Sequence, residues 1–260
     1  MCVAAVAWNA HPDWLLVAIG NRDEYHERPT APLARWDDEP AILAGRDLRS
    51  GGTWLGVSAG AKGPDGNGGR FVLVTNLRGH GDPDPFRVSR GGLATDILAG
   101  RAPVDAGTAS DFSAYNPFNV IAADRRGAMF LSNRPEAIRA PLAHGIYGLS
   151  NGTLDEPWPK TLQLKAALVD WLGGEARDPD GLFPALAADH LGDWGIGAHR
   201  PSDVAAEAID TPVFIADPVY GTRCSTVVAI AHDGTGTIRE RRFGPDAEEA
   251  GEDSIAFAWD

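Results

Sequence analysis

Cysteine is nearly absent from this 260-residue chain, which contains only two. Two cysteines cannot build a disulfide framework, and no CxxC pair that would indicate a metal or redox site is present. Long apolar runs are also missing, since no stretch approaches the roughly 18 apolar residues of a membrane span. A secretory signal needs a basic segment before a continuous apolar one, and here the first arginine or lysine is Arg22. We therefore expect a cytoplasmic protein.

Positive charge is scarce as well. The chain carries 23 lysines and arginines against 36 aspartates and glutamates, a net charge of −13. Non-specific binding of nucleic acid and electrostatic binding to anionic membranes both rely on basic side chains, so neither partner is predicted. Hydrophobic content of 43% is ordinary for a globular protein, and no repeat, linker or shift in composition divides the chain. We expect one domain over residues 1–260 with a small molecule as its partner; the oligomeric state stays open.

Familiar catalytic and metal motifs are absent. The seven histidines are scattered, without HExxH, and no GxxxxGK[ST] loop for phosphate is present. "GLSNG", residues 148–152, matches the GxSxG pattern of a serine nucleophile elbow. An elbow needs a helix directly after the serine, whereas Pro157 and Pro159 delay the next helix. The sequence therefore favours neither a serine hydrolase of that type nor a resident metal.

Apolar runs separated by turn-forming residues predict a protein built mostly of strands. "CVAAVAW" and "WLLVAIG" flank the turn-rich "NAHPD" and predict a buried hairpin. Several candidates are continuously apolar, as expected for sheets covered on both faces. The further candidates are "AILAGRD", "TWLGVSA", "RFVLVTNL", "FNVIAAD", "AMFLSN", "GIYGLSN", "PVFIA", "TRCSTVVAIA" and "TIRERRFG".

Helices are fewer than strands. "RVSRGGLATDILAG" and "WPKTLQLKAALVDWL" have apolar residues at helical spacing, and weaker patterns cover about 103–115 and 180–190. The stretch "AGAKGPDGNGG" predicts a flexible hairpin loop between two strands. The simplest architecture that accommodates these predicted elements is an α+β domain of two sheets with helices outside them.

Polar residues follow or begin several of these apolar strands. "NRDE", residues 21–24, comes directly after the second strand, and Asn76 and Asn151 end two others, while Arg223 stands at the start of "RCSTVV". Loops favour such residues in any protein, so a purely local explanation is available. Four consecutive polar residues beside a buried strand are nevertheless costly unless they are paired.

Cys2 has two interpretations. It can be a small buried hydrophobic residue at the start of the first strand, as free cysteines commonly are. Alternatively, removal of Met1 leaves Cys2 with a free α-amine, whose pKa near 7.7–8.0 lets it take the thiol proton. An acidic residue such as Asp23 would then orient the amine, asparagine side chains would hold the developing oxyanion, and a nearby arginine would favour the thiolate.

The order of short motifs along nearly the whole chain resembles the NRDE family, which is the family of transport and Golgi organisation protein 2. The motifs are "MC", "NRDE" with a following "RP", "AGRD", "GGTWLG", "TN", "FN", "SN", "GIYGLSN", "PWPK" and "YGTR" followed by "STV". This family resembles the N-terminal nucleophile (Ntn) hydrolases. The resemblance implies a four-layer αββα sandwich of two antiparallel sheets, with the "MC" strand central in one of them.

Among Ntn hydrolases, the pattern is similar to that of cysteine amidases that cleave bile-salt and penicillin V amides. The resemblance implies that Cys2 is the nucleophile, that Asp23 contacts its amine, and that Arg223 lies beside the thiol. Asn76 and Asn151 match the oxyanion positions. In those amidases an arginine lies three residues before the aspartate, whereas here Gly20 has that spacing and Arg22 is adjacent.

Four further residues are expected on the pocket wall as substrate-binding residues: Asn21, Arg22, Asp47 and Trp54. Because side chains alternate along a strand, Arg22 is expected on the face opposite Asp23. Asp47 and Trp54 have an equally simple explanation as a loop-bracing aspartate and a core tryptophan.

The predicted activity is hydrolysis of the C–N amide bond of a small acyl amide or peptide-like substrate, without a cofactor. The alternative is a non-catalytic carrier, because the family is linked to haem handling and to lipid and Golgi homeostasis. Haem would then be bound cargo with Cys2 or a histidine as iron ligand. A carrier has no need of oxyanion donors, and a scaffolding protein has no need of a cysteine at this position.

Overall fold

The computed structural model describes residues 2–60, 68–102, 112–174, 178–192 and 210–259. Thirteen strands in these ranges form two sheets, and every strand pairs with its neighbours in antiparallel fashion. In spatial order the first sheet contains β10 (Gly145–Leu149), β1 (Cys2–Trp8), β2 (Trp14–Tyr25), β11 (Tyr220–Ala231), β12 (Thr235–Phe243) and β13 (Glu249–Ala258). The "MC" strand β1 is therefore an interior strand next to the edge, not the central one that was predicted.

The second sheet is a seven-stranded meander in which each strand pairs with the next along the chain. Its strands are β3 (Thr30–Arg35), β4 (Ile42–Asp47), β5 (Leu55–Ser58), β6 (Arg70–Asn76), β7 (Phe118–Asp124), β8 (Gly127–Ser132) and β9 (Ile138–Pro141). The helices are α1 (Arg90–Leu98), α2 (Pro159–Gly173) and the short α3 (Phe183–Leu186). Helix α2 packs on β1 and β10, and α1 packs on β5 and β6.

The core explains why β1 is apolar throughout. Val3 and Ala5 belong to a cluster with Leu164 of α2, whereas Ala4 and Val6 belong to the larger cluster that includes Phe71 of the second sheet. Successive side chains of a strand point to opposite faces, so β1 needs apolar residues at every position when both faces are covered. The helix–sheet–sheet–helix sandwich predicted from the resemblance is confirmed by this layering and by the topology.

The structure corrects the extent of several elements. "NRDE" does not follow the second strand but lies within it, because β2 runs to Tyr25 against β11. The run "PVFIA" is not a strand; Val213 and Phe214 are buried in an irregular segment. Strands β3, β9 and β13 were not predicted: Pro32 interrupts β3, β9 has only four residues, and the first half of β13 is mostly polar.

The two main helices are confirmed at α1 and α2. The weaker helical pattern at 180–190 corresponds to the 3₁₀ turn Pro179–Leu182 followed by α3, so it is shorter than predicted. Most of the pattern at 103–115 lies outside the described residues, which include only the 3₁₀ turn Phe112–Ala114 at its end. Residues 61–67 of the predicted hairpin loop also lie outside them. Within the described ranges, none of the helices has the length and apolar character to span a membrane.

Candidate active site

Cys2 is the first residue of β1, and the register of the sheet determines its surroundings. Cys2 pairs with Arg22 of β2, and Arg22 pairs with Cys224 of β11. Directly paired residues of antiparallel strands share a face, so these three side chains lie side by side toward the second sheet. Neighbouring strands are about 4.8 Å apart, which puts the two cysteines about 10 Å apart, too far for a disulfide.

A cavity of about 440 Å³ lies at this end of the layer between the two sheets. Strands of both sheets, the loop after β4 and the start of α1 contribute to its wall. Six of the residues predicted for the site are on the wall: Cys2, Arg22, Asp23, Asp47, Trp54 and Asn76. Three others, Asn21, Asn151 and Arg223, do not line it.

The turn after β10 holds the start of β1 in place. The main-chain N–H of Cys2 donates to Oδ1 of Asn151 at 3.4 Å, and the Ser150 hydroxyl donates to the Cys2 carbonyl at 2.8 Å. Nδ2 of Asn151 donates to the main-chain carbonyl of Asn76 at 2.7 Å. Asn151 is therefore in contact with the main chain of Cys2, but it does not line the cavity beside the thiol, and its amide group is engaged with two main-chain atoms.

Of the two asparagines predicted at the oxyanion positions, Asn76 is the one that lines the cavity. It ends β6, and its side chain is exposed, with no side-chain hydrogen bond to another described residue. Asn76 therefore has the amide that is available to a ligand in this conformation.

The position of Ser150 also agrees with rejection of the serine elbow, because α2 begins only at Pro159.

Asp23 lies next to Cys2 on β2 with its carboxylate on the opposite face of the sheet. Its Oδ1 accepts a hydrogen bond of 2.8 Å from the hydroxyl of Thr222, its partner on β11. Burial raises the pKa of the Asp23 carboxyl, and the charge of Lys160 opposes that rise. The main-chain N–H of Asp23 is hydrogen-bonded to the Cys2 sulfur.

Lys160 is a residue of this site that sequence reasoning missed. It lies in the first turn of α2, is completely buried, and donates from Nζ to the hydroxyl of Thr211 at 3.0 Å. Burial lowers its pKa from 10.5 to about 8, while Asp23 and Cys2 act in the opposite direction. The "PWPK" motif could have indicated a buried lysine, because Lys160 follows three apolar residues there.

Arg22 is on the face opposite Asp23, as predicted, and this is the face that it shares with Cys2. Its Nη2 donates to Oδ2 of Asp47 at 2.8 Å, and Arg28 donates to the same carboxylate. Burial alone would raise the pKa of Asp47, but hydrogen bonds from Arg28 and the Ser50 main chain outweigh it and lower that pKa. Asp47 thus braces the loop that follows it and also lines the cavity, while its role in substrate binding stays a prediction.

Burial raises the pKa of the Cys2 thiol, and the adjacent Arg22 guanidinium opposes the increase. The pKa of Cys224 is raised further, because that thiol is buried and lies near Glu240. Trp54 is also almost fully buried, with one side on the cavity.

Two predicted residues have partners elsewhere. Asn21 is completely buried on the helix side of the sheet, where it donates to the carbonyls of Leu186 and Val213 and accepts from Ser225. Arg223 lies at a β-bulge and donates to the carbonyls of Tyr25 and Arg28 at 2.8 and 3.0 Å. Arg223 therefore fixes the segment that carries Arg28 instead of lining the cavity beside the thiol.

Fold and site together define a class of protein: an αββα sandwich that presents a cysteine, at the first position of an interior strand, to a polar cavity between its two sheets. The family model for Transport and Golgi organisation 2 matches residues 1–245, and the chain belongs to that family. Among its relatives, the human Transport and Golgi organization protein 2 homolog is 29% identical over 93% of this chain and 92% of its own length. The homolog from Bos taurus is 32% identical over the same shares of the two chains.

A solved structure with a similar layout is the Caenorhabditis elegans ortholog of N-acylethanolamine-hydrolyzing acid amidase. The two chains are 14% identical, with a TM-score of 0.47, over 87% of this chain and 92% of that one.

Proposed function

We propose that the protein is a cysteine hydrolase that cleaves the C–N bond of a small acyl amide, with Cys2 as nucleophile after Met1 is removed. The observation that carries the proposal is the position of Cys2. Its thiol lines the cavity, while its main-chain nitrogen, which would become the α-amine, is within hydrogen-bond distance of Asn151. One residue then supplies both nucleophile and base, within reach of the same ligand.

The reaction follows from the groups around the thiol. The α-amine takes the thiol proton, and the sulfur forms a bond to the amide carbon while the carbonyl oxygen becomes an oxyanion. The side-chain N–H of Asn76, which is free of other partners among the described residues, donates to that oxyanion. Collapse breaks the C–N bond, the leaving amine takes the proton from the α-ammonium, and water then hydrolyses the thioester.

The raised pKa of the Cys2 thiol favours a second candidate, a non-catalytic carrier, because a protonated thiol is a poor nucleophile. In that case the cavity holds cargo, with haem or a lipid as the candidates. For haem, Cys2 is the one thiol on the cavity wall, and no histidine lines the part of the cavity that the structure describes. No group of three or more potential metal-ligating side chains is found in the described ranges either.

The test combines intact mass with turnover of a panel of acyl amides and a haem titration. We expect a mass without Met1 and turnover that falls by roughly 10³-fold or more in Cys2→Ser, since a hydroxyl replaces the stronger sulfur nucleophile. Asn76→Ala should lower kcat by roughly 10²-fold with little change in KM, because the donor acts mainly in the transition state.

Asn151→Ala is the matched variant. We expect it to act through the position of Cys2, so a fall in kcat should be accompanied by a changed pH profile of the α-amine. A protein that retains Met1, cleaves no amide of the panel and binds haem through Cys2 would refute the hydrolase and leave the carrier.

A further inference from the structure

The charges on the cavity wall do not balance. Arg22 and Arg28 share the carboxylate of Asp47, and the Glu24 carboxylate is 3.9 Å from each of them. Arg87 lies 3.7 Å from Asp84. These three arginines therefore face three carboxylates, and they contribute no net charge to the cavity. The fourth acidic residue on the wall, Asp23, directs its carboxylate to the opposite face of the sheet, where it bonds to Thr222.

Two other arginines on the wall, Arg49 and Arg90, have no acidic partner. Within the described ranges, no carboxylate lies at ion-pair distance from either guanidinium. The side chain of Arg90 donates to the main-chain carbonyl of Pro117 at 3.1 Å. Arg90 is half-buried, and burial lowers its pKa, opposed by the charge of a Cys2 thiolate and, beyond ion-pair distance, by that of Glu24. For Arg90, a partly desolvated guanidinium without a carboxylate at ion-pair distance is unfavourable unless a ligand supplies the charge, whereas Arg49 is exposed to solvent.

Packing holds these two arginines on neighbouring segments. Arg49 belongs to the loop that leads to Gly52, and Arg90 is the first residue of α1. Gly52 packs so closely on Gly91 that a methyl group on Gly52 would lie 2.2 Å from the Gly91 carbonyl carbon. The first turn of α1 also lies on the cavity wall, through Ser89, Arg90 and Gly91, and the start of a helix favours negative charge.

We infer that Arg49 and Arg90 form an anion-binding clamp, and that the ligand of this cavity carries a carboxylate or phosphate group beside the bond that Cys2 attacks. This inference deepens the proposed hydrolase and rests on it for the scissile amide. The rest of the chain, with its net charge of −13, would repel such a ligand, so the clamp supplies the local attraction.

The experiment measures binding without turnover, on the Cys2→Ala protein, by titration calorimetry. The probes share one acyl chain and one amide: N-octanoylglycine carries a carboxylate, N-octanoylglycinamide is neutral, and N-octanoyl-O-phosphoethanolamine carries a phosphate. We expect at least one anionic probe to bind about tenfold or more tightly than the neutral one, as for other charge-assisted hydrogen bonds. The tighter of the two anions identifies the group.

Three further variants assign that preference. Arg90→Gln should remove most of it and Arg49→Gln part of it, while the affinity for the neutral probe stays the same. Arg35→Gln is the matched control, because Arg35 also donates to a main-chain carbonyl, that of Pro40, but lies away from the cavity. Circular dichroism and thermal melting check that each variant is folded.

Equal affinities for the neutral and both anionic probes would overturn the clamp, and so would a preference that survives in the Arg49→Gln/Arg90→Gln double variant. The proposed hydrolase is judged separately. If wild-type protein cleaves no amide but keeps the preference for an anion, the hydrolase fails and the clamp stands. If it cleaves N-octanoylglycinamide as efficiently as either anionic probe, the clamp fails and the hydrolase stands.

Discussion

At the scale of single residues, burial of the polar "NRDE" segment is possible because each side chain has its own partner. Asn21 bonds to main-chain carbonyls on the helix side, Arg22 to Asp47 between the sheets, and Asp23 to Thr222. An unpaired polar group at such a depth would cost several kcal/mol. The segment can therefore continue strand β2 and bring charges of both signs next to Cys2.

Lys160 gives a prediction about stability and pH. Its pKa is about 8 in the folded protein against 10.5 for an ordinary lysine, so the folded state loses this proton first as pH rises. A group that binds fewer protons when folded makes the protein more stable with increasing pH between those two values. We expect wild type to gain roughly 2 kcal/mol relative to Lys160→Met between pH 8 and pH 10, since each pKa unit corresponds to 1.36 kcal/mol.

The measurement is urea denaturation of both proteins across that pH range. The charged groups that act on Lys160 are Asp23, Cys2 and Arg78. Because the Asp23 charge raises the pKa of Lys160, the same series in Asp23→Asn should show a larger difference that begins at lower pH. Lys165→Met controls for the loss of a lysine from α2, because Lys165 pairs with Asp155 near the surface. A constant difference between wild type and Lys160→Met would contradict the prediction.

At the scale of elements, the contact between the loop after β4 and the start of α1 depends on two glycines. The Thr53 N–H donates to the Gly91 carbonyl at 3.4 Å, and the Gly91 backbone leaves no space for a side chain on Gly52. A methyl group on Gly91 would be tight, at 3.2 Å from the Thr53 carbonyl oxygen. Gly52→Ala would force the two segments apart. Overpacking of this kind typically costs about 1–3 kcal/mol.

We expect Gly52→Ala to lower the free energy of unfolding by that amount and to weaken binding of an anionic probe, because Arg49 and Arg90 would separate. Gly127→Ala, at the first residue of β8, is the matched control, since its added methyl group would meet nothing within 4 Å. It should stay within about 1 kcal/mol of wild type. Chemical denaturation of the three proteins tests this, and equal stabilities would show that the contact can relax.

At the scale of the whole molecule, one buried carboxyl group connects the two sheets. Glu240 of β12 accepts a hydrogen bond of 2.8 Å from the main-chain N–H of Leu33 on β3. Burial raises the pKa of Glu240, and the bond from Leu33 and the charge of Arg242 oppose that rise. A raised pKa means that the folded state holds this proton more tightly, so stability falls as pH rises through it.

Two substitutions separate the hydrogen bond from the charge. Glu240→Gln keeps an acceptor for Leu33 and removes the buried charge, so it should be at least as stable as wild type at pH 7. Glu240→Ala leaves that N–H without an acceptor and should cost about 1–3 kcal/mol. Urea denaturation at pH 5 and pH 7 measures both. If the two variants lose the same stability, the hydrogen bond between the sheets is not what Glu240 contributes.

The antiparallel sandwich and most of its elements could be predicted from the sequence, because apolar runs and turn residues are local signals. The sequence also determined the candidate residues around Cys2, since their motifs occur in the order typical of one family. Polar strands could not be predicted from such local signals. Nothing in the sequence near "NRDE" indicates that it continues β2, because this depends on pairing with β11, about 200 residues further along the chain.

Tertiary structure alone decided which candidates meet at the cavity. The register of β1, β2 and β11 puts Arg22 on the face of Cys2, and a bulge turns Arg223 away from the cavity wall. The turn after β10 engages the amide of Asn151 and leaves that of Asn76 for a ligand. Lys160 approaches the site only because α2 packs on β1. These are contacts between residues far apart in the chain, and only packing and register, which have no local pattern, determine them.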